Sequence, residues 1–212
     1  MFVGAHSGPR VRVVGIAVAA LFLVATFAGR AAWADHMPPE PTVSGLKPAK
    51  VRASKLKPGL GVTYYMNRFN NTDELLIEAE ITKGRKGKPL PQLNYKVGRG
   101  NVLTTNRENM VGAMIRGHIR FAKKGVYTLL LQSNDGVVLT IAGKQIYADP
   151  GVHPDDFSPP LKLQIDTPGW YRIEITYFEK KSTATLELYW QEPGASGDPV
   201  FVPAAAFAHI PK

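Results

Sequence analysis

Between residues 114 and 190 the chain runs through one short stretch after another in which apolar and polar residues alternate, and turn residues separate the stretches. From Met114 to Phe121, Ile115, Gly117, Ile119 and Phe121 share one side while Arg116, His118 and Arg120 share the other. A period of two is the side-chain repeat of an extended strand with one face covered. The same alternation returns at Leu161, Leu163 and Ile165, at Tyr171, Ile173, Ile175 and Tyr177, and at Leu186, Leu188 and Trp190. Val126 to Gln132 is almost wholly apolar, as in a strand covered on both faces. Lys123-Lys124-Gly125, Ala142-Gly143-Lys144 and Pro168-Gly169 supply turns, and Ser133-Asn134-Asp135-Gly136 predicts a tight hairpin into Val137–Ile141. Strands about ten residues apart, without a convincing 3.6-residue repeat between them, predict an all-β antiparallel barrel or sandwich.

With 0 cysteines the chain has no disulfide, thiolate metal site or cysteine nucleophile, so the 44% of hydrophobic residues must supply most of its stability. The first residues have a different character. Arg10 and Arg12 precede an apolar run from Val13 to about Ala28, which ends in Ala32-Trp33-Ala34, a small-x-small cleavage pattern. Residues 1–34 are therefore expected to be a signal peptide cleaved after Ala34, giving a secreted or periplasmic protein with no transmembrane span once cleaved; an uncleaved anchor is the alternative. Cleavage would also remove Arg10, Arg12 and Arg30 from the formal charge of +9. Residues 35–57, rich in Pro, Lys, Ala and Ser, read as a flexible linker, and 58–212 as the folded domain. Much of the remaining basic excess lies in Lys47–Lys57 and in Lys83, Arg85, Lys86 and Lys88. Such clusters suit acidic glycans or lipid headgroups, but they are read first as a solvated linker and loop. No aromatic-interleaved basic motif points to nucleic acid.

The run from Gly125 to Lys144, with Ser133-Asn134-Asp135-Gly136-Val137 at its centre and Gly143-Lys144 at its end, resembles the signature of the PA-fourteen β-barrel domain of anthrax protective antigen, fungal flocculins and bacterial glycosidases. Gly59-Leu60, Tyr64-Tyr65 and Phe69 resemble the family's opening. Gly169 to Tyr177 resembles one of its strands, and Leu186 to Trp190 with Pro193-Gly194 and Val202-Pro203 resembles its close. The resemblance spans about Pro58 to Ile210.

The resemblance implies a non-catalytic binding module, with glycan or polysaccharide as the expected partner, acidic sugars included. The alternative is a cell-envelope module that binds protein or serves structure without sugar. In the fungal lectin-like members two aspartates at this turn hold Ca2+, so the resemblance gives Asp135 and Asn134 a tentative calcium role, with Asn134 standing where a second carboxylate would serve better. The loop from Ala148 to Pro160 adds His153, Asp155 and Asp156 as expected ligand-binding residues, and Trp170 at a strand start is the aromatic most expected to meet sugar. Catalysis has little support. His36, His118, His153 and His209 are scattered, no nucleophile elbow or metal-protease motif occurs, and the adjacent Asp155-Asp156 suit no glycosidase pair.

Overall fold

A computed structural model describes residues 41–211. The expected signal peptide and residues 35–40 of the expected linker lie outside the described residues. Among the described residues, fourteen strands form two antiparallel sheets. The eight-stranded sheet contains β1 (Lys57–Pro58), β2 (Gly61–Tyr65), β3 (Arg85–Lys86), β5 (Val111–Phe121), β7 (Val137–Ile141), β8 (Lys144–Asp149), β11 (Gly169–Glu179) and β14 (Phe207–His209). The six-stranded sheet contains β4 (Asn94–Val97), β6 (Gly125–Asn134), β9 (Asp156–Phe157), β10 (Leu161–Ile165), β12 (Ala184–Gln191) and β13 (Val200–Phe201). The expected strands are all present.

The inward halves of the alternating stretches face one another across the sandwich. Ile115, Ile119, Ile173 and Ile175 come from one sheet and Leu129, Leu131, Leu186 and Leu188 from the other, and all are buried. Toward one end the core becomes aromatic: the Phe121 ring lies 4.7 Å from Tyr127, 5.3 Å from Tyr171 and 6.2 Å from Trp190. Tilted and edge-on contacts of this kind add to the apolar burial that stabilises the fold.

Three expectations change. The Ser133–Gly136 turn is not a hairpin, because β6 ends in the six-stranded sheet and β7 begins in the eight-stranded one. It is the corner where the chain crosses between sheets. Turn chemistry is local, whereas the sheet a strand joins is settled by distant partners: β6 pairs with β12, and β7 with β11. Gly136 is held at this corner by close packing. A Cβ there would lie 2.5 Å from the Phe178 ring and 2.6 Å from Pro150 O, so glycine is needed for close approach. The true two-residue hairpin joins β7 to β8 through Ala142 and Gly143, both at positive φ.

The second change concerns the expected linker. Val43 donates to Lys162 O and accepts from Gln164 N, at 2.8 and 2.9 Å, Leu46 is buried, and Ala49 N reaches Trp170 O at 2.7 Å. From Val43 onward this segment lies against the domain, because Leu46 has a place in the core.

The third is a helix, α1 (Thr72–Ile81), between β2 and β3. Asn71 caps it by accepting from Glu74 N at 2.9 Å, while Glu74 accepts from Asn70 N. Only Leu75 of its apolar residues is fully buried, against Phe69 and Phe178, so no apolar stripe announces it. Among the described residues no helix is long and apolar enough to cross a membrane.

Candidate functional site

The sheet-crossing corner and the loop between β8 and β9 meet at one end of the six-stranded sheet. The loop is held by its own backbone: Pro150 O accepts from Thr72 N at 3.0 Å, and β9 pairs Asp156 with Ser133 and Phe157 with Gln132. That pairing brings Asp155 over the corner. Its Oδ1 accepts from Asn134 Nδ2 at 3.1 Å and Thr185 Oγ1 at 2.9 Å, and its Oδ2 lies 2.8 Å from Lys96 Nζ. Asn134 Nδ2 also donates to Thr183 Oγ1 at 2.7 Å. Burial works to raise the Asp155 carboxyl, but the hydrogen bonds from Lys96, Thr185 and Asn134 together hold it below the ordinary carboxylate range.

Asp135 plays another part. It is only 4% exposed, and its Oδ2 accepts from Lys180 N at 2.8 Å. Burial raises its carboxyl, against the backbone N–H groups of Lys180 and His153 and the nearby His153 charge. The corner is pinned further by Tyr177 OH, which donates to Asn134 O at 2.7 Å. The Asn134–Asp135 peptide is cis. Asp135 therefore braces the corner from within. Beside it Glu179 is fully buried, with Oε2 accepting from Met110 N at 3.0 Å, and burial raises its carboxyl to about 7.

His153 folds back on its own loop, with Nδ1 2.7 Å from Pro154 O and Nε2 3.6 Å from Asp149 Oδ2. Asp156 accepts from Phe157 N through Oδ1 at 2.8 Å and lies at the surface. Trp170 is not here. It begins β11 opposite Arg120, whose guanidinium lies 6.0 Å from its ring, while the corner contacts Phe178 and Lys180 at the other end of that strand. With a rise near 3.3 Å per residue, about 30 Å separates them.

The tentative calcium role does not suit these donors. Calcium takes six to eight oxygens and favours several carboxylates. Asn134 turns its Nδ2 toward Asp155, Lys96 already places a cation on Asp155, and Asp135 is engaged by backbone N–H groups. Among the described residues no three His, Asp or Glu side chains are grouped to hold a metal.

The face has a second, aromatic component. Phe157 lies 6.0 Å from the Tyr189 ring, and Tyr189 stacks on Phe201 at 4.3 Å with 23° between planes. Phe157 is 48% and Phe201 37% exposed. Tyr189 donates to Glu187 Oε2 at 2.8 Å, and burial followed by that hydrogen bond raises its phenol to about 12. Beneath the rings and the Lys96–Asp155 pair lies a layer of covered polar side chains: Gln132, Asn134, Thr185 and Glu187. In the sequence Tyr189 is one of the aromatics that could stack on sugar, with core filling preferred, and it falls on the outward side of β12, opposite to buried Leu188 and Trp190. A phenylalanine following two aspartates was the available signal for Phe157; for Lys96 and Phe201 only pairing with β12 brings them in.

The family model described as the PA14 domain matches residues 56–200. Among solved structures, the PA14 domain of the MpAFP antifreeze protein has a TM-score of 0.62 at 14% identity, covering 77% of this chain and 96% of its own. A PA14 sugar-binding domain from an RTX adhesin has 0.56 at 16%, covering 72% and 98%. The epithelial adhesin 9 A domain from Candida glabrata, in complex with Galβ1-4GlcNAc, has 0.58 at 8%, covering 78% and 95%. No curated protein matches the chain. The family match over most of the folded residues, together with the shared fold, shows that the chain belongs to the PA14 domain family.

Proposed function

We propose that the protein is an exported, non-catalytic carbohydrate-binding module that meets sugar on the outer face of the six-stranded sheet. The observation that carries this is the row of Phe157, Tyr189 and Phe201 beside the surface pair Lys96–Asp155. Flat apolar rings cover the C–H face of a pyranose, while charged and hydroxyl groups at their edge fix its orientation through hydrogen bonds. Structural neighbours that include a sugar-binding domain and an adhesin bound to a disaccharide support the reading. Export rests on the signal-like residues 1–34, and the carboxylates at this end suit structure better than catalysis. Asp155 is neutralised by Lys96, and Asp135 and Glu179 are buried against backbone N–H groups.

A glycan array probed with the domain tests this. Selective binding to a set of sugars, lost in Phe157→Ala/Phe201→Ala while the circular dichroism spectrum is retained, is the expected result. A blank array for the folded protein would overturn it. A protein-binding role in the cell envelope is favoured by one feature, the exposed Ile77 and Ile81 on α1, at 59% and 74% exposure. Cross-linking in envelope extracts that returned one stoichiometric protein through α1 would support that second reading.

A further inference from the structure

A broad concavity lies on the other sheet. Its volume is about 550 Å3, and it opens on the outer side of β2, β5 and β11, with β3 and residues 209–211 along its edges. Its wall carries Lys86, Arg116, His118, Arg172 and His209. These residues come from four separate stretches of sequence, and the strand registers collect them: Gly61 faces Arg116, Arg116 faces Glu174, and His118 faces both Arg172 and Ala208. Gly61 contributes no side chain, and a Cβ there would sit 3.4 Å from Arg116 O and 3.8 Å from the His209 ring.

The charges in the cleft do not balance. Glu174 is its nearest carboxylate, and Arg116 Nε and Arg172 Nη2 both reach the same oxygen of it, at 3.4 and 2.8 Å. One carboxylate thus draws two guanidinium groups together, each more than half exposed. Each guanidinium has five N–H donors in a planar fork, so most of them remain for a second acid group. His118 Nδ1 is buried and has no hydrogen-bond partner among the described residues. The rest of the wall is mostly apolar, from Val62, Pro89, Met114 and Ile210, with the Thr63 hydroxyl among them. A pocket of a few hundred Å3 with apolar walls and a few convergent polar groups is of small-molecule size. A flat lipid surface would not enter such a recess.

We propose that this cleft is a second binding site, selective for a sugar unit that carries an acid group, a uronate or a sugar phosphate. The acid group lies against Arg116 and Arg172, and the ring rests on Pro89 and Ile210. The cleft stands apart from the aromatic face, since its strands belong to the other sheet. Its existence does not depend on how neutral sugars bind.

Calorimetric titration of the folded domain with trigalacturonate, and separately with neutral galactotriose, tests the proposal. Trigalacturonate is expected to bind at low ionic strength and to weaken about tenfold or more when salt is raised to about 0.5 M, because screening shortens the reach of the charges. Arg172→Gln and Arg116→Gln are each expected to weaken it about tenfold or more and to leave any binding at the aromatic face within twofold. Glucose 6-phosphate as competitor is expected to displace the uronate. Trigalacturonate binding that survives both substitutions, equal affinity for galactotriose at this cleft, or no binding of either acidic probe would overturn the proposal. Loss of neutral-sugar binding with uronate binding intact would count against the aromatic face alone.

Discussion

The outer faces of the two sheets arise from the same period-two alternation and carry opposite chemistry. On β5 the outward positions are Arg116, His118 and Arg120, and β11 adds Arg172 across from them. On β12 they are Thr185, Glu187 and Tyr189, and neighbouring strands add Lys96, Phe157 and Phe201. The first face is cationic and recessed. The second is aromatic, with its charges largely paired. The inward positions of both sheets are interchangeable aliphatic and aromatic residues, so the difference lies wholly in residues the core does not need. One sandwich thereby offers two chemically distinct surfaces, and each can change without disturbing the other.

The largest expected effect tests whether the two faces share one support. Phe121 touches Tyr127, Tyr171 and Trp190 across both sheets, so Phe121→Ala should cost about 3–5 kcal/mol of stability and weaken both faces together. Urea unfolding measures it, and a cost under about 1 kcal/mol would show that the sheets are less dependent on this contact. Next, Phe201→Ala and Phe157→Ala should each weaken neutral-sugar binding about tenfold, near 1.4 kcal/mol, with little change in melting temperature. Calorimetry on the array-selected sugar checks this, and an unchanged affinity would break the distinction between the faces.

A third effect is confined to the corner behind the aromatic face. Glu179 has its carboxyl raised to about 7 from an ordinary 4.5, so the folded protein holds this proton more tightly than the unfolded chain does. That contribution to stability is fully present below about 4.5 and is lost as pH rises through about 7, and the raised Asp135 carboxyl acts in the same direction. Melting temperature should therefore fall between about pH 5 and pH 8, and Glu179→Gln should flatten that decline. A variant with the wild-type slope would remove Glu179 as its source. The smallest effects are expected far from the rings or from an ion the donors do not suit. Trp170→Ala, or a chelator such as EDTA, should leave neutral-sugar binding within about twofold. Binding abolished by EDTA and restored by calcium would reverse the reading of the Lys96–Asp155 pair.

The strands themselves are legible in the sequence because alternation is a local property. Ile115 and Arg116 declare opposite faces without reference to anything distant. The partition into sheets is not local. Asn134-Asp135-Gly136 has the composition of a hairpin, and only the pairing of Asn134 with Thr185 and the contact of Gly136 with Phe178 turn it into a corner. Of the expected site residues, Asn134 and Asp155 do meet, and Asp135 lies beside them as a buried brace. His153 binds its own loop, and Trp170 lies at the far end of β11. Lys96 and Phe201 escape a sequence reading because 105 positions separate them, and only β12 brings both to one face. The helix is missed because its apolar residues are mostly exposed, although Asn71 and Glu74 mark its start.

The most direct test of the account is a map of the sugar on the surface. Backbone amide shifts of the folded domain, followed by NMR as the best array-selected neutral sugar is added, should change at Asn94–Lys96, Asp155–Phe157, Tyr189 and Val200–Phe201. The paired ends of β5 and β11 at Arg120 and Trp170 should remain still. Shifts gathered around Trp170, or spread evenly over both sheets, would contradict the assignment of sugar binding to the outer face of the six-stranded sheet.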